Sequence, residues 1–213
     1  MVDRVKPDYS AAWVPDDDPG RPWGEAAQLA CDWIRSQGRA SGSRPLLVTY
    51  SFGNSRGAEE LAGLDQVTVR SRGSVLGLVG RPVLAYVPEA STFELAHRYA
   101  RKAALCVVES VGFPLHGWAR EVRATNLLSG EVLPALGPQV LKDLDMLDFA
   151  GNNSWGDQYG KKRARDILQR LDPLVDLAEV LGYVMAHGTS HHGVKNLVNA
   201  AKAIGWTDPD VDE

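Results

Sequence analysis

The chain has 213 residues, 44% of them hydrophobic and 23% charged, the balance of a globular protein rather than a disordered, fibrous or membrane-embedded one. Lys plus Arg number 23 and Asp plus Glu 27, so the net charge of -4 supplies no global field toward nucleic acid or anionic lipid; such binding needs a local patch. A chain this long buries roughly 70% of its unfolded surface and needs neither disulfide nor structural metal to fold.

Residues 1–22 carry four prolines and the run Asp16-Asp17-Asp18 with little periodicity, which predicts a flexible arm, docked at most through Trp13. The start has no apolar leader and no later segment offers the roughly 20 apolar residues of a membrane span, so a cytoplasmic protein with no membrane partner is expected. Over residues 23–37, Ala27, Ala30, Cys31 and Ile34 recur at helical spacing and Gly38 follows as a stop. Residues 45–50 are an apolar run of the kind covered on both faces of a sheet. A short helix at 58–64 and strands at 67–70 and 82–87 come next, with Gly73, Gly77 and Gly80 as turns. Ser91-Thr92-Phe93-Glu94 has the spacing of a capping box and predicts a helix running to Lys102. Residues 104–109 form another buried strand. Both cysteines, Cys31 and Cys106, therefore fall in apolar segments and read as reduced, buried thiols.

Residues 112–137 read as loop with a short strand near 121–124. Helices are expected at 139–149, at 157–171 behind Asp157, at 173–187 behind Asp172-Pro173, and from Ser190 to a stop at Gly205. Strands alternating with helices and then helices alone predict an α/β fold: a mainly parallel β-sheet flanked by helices, at 23–137, followed by a C-terminal helical unit at 138–206 and a tail at 207–213. The seam between the two is the natural place for a cleft.

The first candidate site is the turn after the 45–50 strand. Ser51, Asn54 and Ser55 offer hydrogen bonds, Gly53 and Gly57 permit close backbone approach, and Arg56 can pair with phosphate or carboxylate. Such a turn at the carboxyl end of a parallel strand presents free amides to an anion. It has neither the dinucleotide nor the P-loop glycine spacing. If the strands ending at Tyr50 and Glu109 run in the same direction, Glu109 reaches the same rim, where it can accept a ribose hydroxyl or act as a base. The favoured function is thus binding of a small phosphate- or carboxylate-bearing ligand, a nucleotide first of all. Whether the site is an enzyme's, and with which cofactor, is left open.

The alternative is a nucleic-acid-binding module: Trp155 and Tyr159 in a Gly/Asn-rich segment precede Lys161, Lys162, Arg163 and Arg165, a mixture able to stack a base and neutralise phosphates. A third reading is a protein-interaction module built on the last helices. Trp118 and Trp155 both lie in glycine-rich loops, where an aromatic ring can face a ligand. His187, His191 and His192 straddle a helix break and do not make a zinc set, and no G-x-S-x-G elbow aims a serine. Residues 81–88 (RPVLAYVP) with the following helix and Val107-Val108-Glu109 resemble one βαβ unit of the second core domain of helicases. The arginine-rich motif of those enzymes is absent, so the resemblance carries no role.

Overall fold

Strands of two to five residues are stable here because each is paired on one or both sides and the central ones are buried on both faces. The computed structural model describes residues 7–55, 58–70 and 77–206. Among them six strands, β1 (Ser10–Val14), β2 (Leu46–Thr49), β3 (Asp65–Thr68), β4 (Val83–Tyr86), β5 (Ala104–Val108) and β6 (Thr125–Asn126), form one sheet in the order β3-β2-β4-β5-β1-β6. Every pairing is parallel. The fold class is therefore the expected α/β one.

Alternate residues along each strand enter two separate cores. Leu46, Val48, Val83, Ala85, Leu105 and Val107 point to one face, while Leu47, Leu84, Cys106 and Val108 point to the other. That two-sided burial is why these segments read as continuous apolar runs. Helix α1 (Trp23–Ser41) covers the second face with Ala27, Ala30, Cys31 and Ile34, and helix α2 (Ala90–Ala100) covers the first with Phe93, Ala96 and Tyr99. The β1-α1-β2 crossover runs one way along the sheet over one face, and β4-α2-β5 runs the other way over the opposite face. Both thus have the same hand, as parallel crossovers require. Both cysteines are buried and unpaired; burial pushes the Cys31 thiol up to about 11 and that of Cys106 further still.

The flexible arm expected over 1–22 is overturned at Ser10–Val14, which forms an interior strand between β5 and β6. Two alanines and flanking prolines and acids hide it, since its stability comes from partners distant in sequence rather than from its own propensity. Tyr9 accepts a hydrogen bond at its hydroxyl from Trp118 Nε1 at 3.0 Å, which fixes the entry to the strand. The expected helix over 58–64 is only a short 3-10 turn, Glu59–Leu61. The loop expected over 112–137 contains helix α3 (His116–Glu121), and its strand is β6, just beyond the expected 121–124. The capping box before α2 is not made: Glu94 Oε2 instead accepts from the His191 amide at 2.9 Å and faces His191 Nδ1 at 2.6 Å.

Four helices follow, α4 (Pro138–Ala150), α5 (Gln158–Leu171), α6 (Leu177–Ala186) and α7 (His191–Lys202). Asp157 caps α5 and Ser190 caps α7 as expected, but α6 starts at Leu177 behind Asp176, not at Pro173. These helices share one core with the sheet, which runs from Trp13 and Leu105 through Phe93, Trp118 and Tyr183 to Trp206. The fusion point is a backbone contact. A Cβ on Gly182 of α6 would sit against Trp118 N and 2.6 Å from Gly117 C, and one on Gly117 would lie 2.6 Å from Glu179 Cα. No helix among the described residues is long and apolar enough to cross a membrane. Because backbone cannot yield as a side-chain tip does, Gly182→Ala is expected to lower unfolding free energy by about 3 kcal/mol, measured by urea titration.

Candidate functional site at the carboxyl edge of the sheet

All six strands end at one edge, so the loops that follow them share a rim. The strands ending before Tyr50 and Glu109 do run in the same direction, with β4 between them. Two strand spacings separate their tips by about 10 Å. Between β2 and β4 the chain departs in opposite directions, toward β3 on one side and toward β5 on the other. This is the topological switch at which open α/β sheets leave a crevice.

At the β2 tip, Thr49 Oγ1 donates to the Ser51 carbonyl at 3.0 Å and accepts from Gln66 Nε2 at 2.9 Å. Ser51 is partly buried and Gly53 exposed; Gly53, Asn54 and Ser55 lie in a 3-10 turn, Phe52–Ser55. Arg56 and Gly57 lie outside the described residues. A cation that sequence reasoning missed stands at the same tip: Arg70 donates to the Tyr50 hydroxyl at 3.1 Å, its guanidinium 4.8 Å from the ring centre. The only signal for it in the sequence was its place just past a strand end. At the β4 tip, Val87 has φ of 48°, a strained conformation for a β-branched residue, and α2 begins behind Glu89 without a side-chain cap.

Glu109 stands at the β5 tip and is 7% exposed. Its Oε1 accepts from the Leu115 amide and its Oε2 from the Asp16 amide at 3.1 Å, while Asp16 Oδ2 accepts from the Val111 amide at 2.8 Å. The carboxylate thus clamps the loop after β1 to the loop before α3. Burial raises its pKa, opposed by those two amides and by His116.

Beside the clamp lies a cavity of about 290 Å³, walled by Val14, Asp16, Asp18, Arg21, Trp23 and Glu109, among others. Arg21 is committed to the loop itself, donating to the Pro15 carbonyl at 2.8 Å and to Asp17 at 2.7 Å. Trp23, the first residue of α1, leaves 48% of its surface exposed while its ring meets Tyr86 edge-on at 6.4 Å. Asp16, Asp18 and Glu109 make this end of the rim acidic. It suits hydroxyl or amine donors and a flat ring, and repels phosphate. Sequence reasoning missed it because the acidic run was assigned to an arm.

The second constellation is split. Trp155 is only 1% exposed, its Nε1 donating to the Leu147 carbonyl at 3.2 Å and its ring filling the space a Cβ on Gly151 would take. Its expected role as a stacking platform is corrected: the indole belongs to the core, and the glycine before it exists to admit the ring. Trp118 is likewise fully buried. Tyr159, at 77% exposure, and Lys161, Lys162, Arg163 and Arg165 remain on the outer surface of α5. The histidines serve different elements: His187 Nε2 lies 3.0 Å from Glu121 Oε1, His191 faces Glu94, and the His192 ring lies tilted against that of His191, centroids 4.0 Å apart. Among the described residues no group of three or more His, Cys, Asp or Glu is placed to hold a metal ion.

The geometry defines an all-parallel α/β protein with its crevice at the strand tips. No protein-family model, curated protein or solved structure matches the chain.

The clamp passes to the helices through His116, next to Leu115, whose Nε2 lies 3.0 Å from Asp176 Oδ1 and 3.8 Å from Glu179 Oε2. Hydrogen bonding to Asp176 raises the His116 pKa and lowers that of Asp176. Stability from the raised imidazole is fully present below its ordinary value of 6.5 and is lost as pH rises through the folded value; that from Asp176 is present above 3.8 and lost on acidification. Both side chains are partly exposed, so the alkaline loss is expected to stay under about 1 kcal/mol and to vanish in His116→Gln, read from unfolding midpoints across pH. Glu109→Ala leaves two amides without an acceptor and is expected to cost about 3 kcal/mol, measured by urea denaturation.

Proposed function

We propose that the protein binds a nucleotide along the carboxyl edge of its sheet, with the phosphates at the β2 tip and the base and ribose at the β1–β5 tip. The reading rests on one observation above all, the topological switch between β2 and β4, since a crevice there lies next to a turn and to an uncapped helix start. Arg70 and the turn at 51–55 supply positive character at that end. Further along the rim the exposed Trp23 ring offers a stacking surface and the acids of the loop after β1 offer acceptors for ribose hydroxyls. The separation of the two ends suits a molecule that is anionic at one end and flat at the other. Glu109 serves this site by fixing the loop that carries Asp16, and the ligand's contacts fall to Asp16, Asp18 and Trp23. Arg56 and Gly57 extend the phosphate end in sequence.

Calorimetric and melting titrations with ATP, GTP and NAD, with adenosine as the uncharged comparison, test the reading. At a ligand concentration 100-fold above Kd the expected stabilisation is about 2.7 kcal/mol. Trp23→Ala is expected to weaken nucleotide and nucleoside alike by about 1–3 kcal/mol through lost stacking, whereas Arg70→Gln weakens only the phosphate-bearing ligands. Absence of any shift with millimolar nucleotide overturns the proposal.

A further inference from the structure

A second cavity, of about 360 Å³, opens away from the strand tips, where α3, α4 and α6 meet. Its wall includes Arg123, which directly precedes Ala124 and β6 and so stands at the amino edge of the sheet, opposite the rim. Helix α3 starts next to the Glu109 clamp and lines the cavity along its length with Gly117, Arg120 and Glu121.

The charges in the wall sort themselves by pairing. Arg120 is paired, with Nε bonding both Glu179 oxygens at 3.0 and 3.1 Å and Nη1 the Pro134 carbonyl at 2.5 Å. Glu121 faces His187 Nε2, and Asp145 Oδ1 accepts from the Tyr183 hydroxyl at 2.8 Å. The Arg123 guanidinium has no hydrogen bond or ion pair within the described residues. The backbone of Arg123 is left-handed, φ 56°, in a turn closed by the bond from the Ala124 amide to the Ala119 carbonyl at 2.7 Å, and its side chain is exposed. His187 is nine-tenths buried, and its Nδ1 has no partner. The wall therefore has one exposed cation with no partner among the described residues, a carboxylate aligned by a tyrosine, and an apolar side that includes Leu136 and Leu141, while the unpartnered His187 Nδ1 is itself shut off from solvent.

A simple anion in this cavity meets the carboxylates of Glu121, Asp145 and Glu179, and a simple cation meets Arg120 and Arg123. A molecule carrying both signs on neighbouring atoms satisfies each. We infer that the cavity between α3, α4 and α6 binds a small zwitterion of the α-amino acid class, its carboxylate on Arg123, its ammonium toward Asp145, and an aliphatic side chain against Leu136 and Leu141. The site is independent of the nucleotide reading, since it shares no residue with the rim.

The experiment is calorimetric and NMR titration of the full chain with L-leucine, with leucine methyl ester, which lacks the carboxylate, and with N-acetylleucine, which lacks the ammonium. Leucine is expected to bind in the millimolar range or tighter, with each blocked analogue at least tenfold weaker. Arg123→Ala is expected to abolish binding. Arg123→Gly removes the guanidinium and relieves the positive-φ strain, so it folds at least as well as the parent and still fails to bind; Trp23→Ala binds leucine normally. Silence to leucine at 10 mM, equal binding of either blocked analogue, or undiminished binding by folded Arg123→Gly overturns the inference.

Discussion

A single buried carboxylate sets the geometry on which both ends of the molecule depend. Glu109 takes amides from two loops, one arriving from β1 and one about to begin α3. An acceptor-only group with two oxygens suits that task, because buried amides left without a partner carry a full desolvation penalty. Holding Asp16 shapes the acidic end of the rim. Holding Leu115 fixes the start of α3, and with it the position of Gly117, Trp118 and Arg120. The cavity lined by Gly117, Arg120 and Glu121 of α3 thus depends on a contact at the carboxyl edge of the sheet.

The second constraint is steric. Gly117 and Gly182 bring two helix backbones into contact where the C-terminal helices join the core they share with the sheet. Polar side chains beside this contact are paired, Arg120 with Glu179 and Tyr183 with Asp145. Such networks stand only when nearly all members are paired.

Much of the architecture was legible locally. The runs at 45–50, 82–87 and 104–109 became β2, β4 and β5 because two-sided burial demands continuous apolar sequence. Asp157 and Ser190 cap their helices because a short acceptor before an amphipathic stretch has few other uses. Ser10–Val14 was hidden because two alanines have weak strand preference and its partners lie far off in sequence. Glu94 had the spacing of a capping box, yet His191 offered it a stronger charge-assisted partner from 97 residues away. Of the candidate site, the turn at 51–55 and its relation to Glu109 were readable from strand order, whereas Trp23, Arg70 and the acids of the first loop were not, since their convergence depends on which strands sit side by side.

The sequence by itself determined the fold class, the direction of the sheet and the presence of a turn rich in hydrogen-bonding groups at one strand end. These follow from periodicity and from the preferences of single residues, which act over a few positions of chain. Tertiary structure alone decided that Trp155 is core, that Glu109 is a clamp, and that Arg123 stands in the wall of the cavity beside α3 without a partner among the described residues. Each of those outcomes turns on burial and on partners brought together across long stretches of chain, and whether a polar or aromatic side chain holds the fold or faces a ligand is settled only by what packs around it.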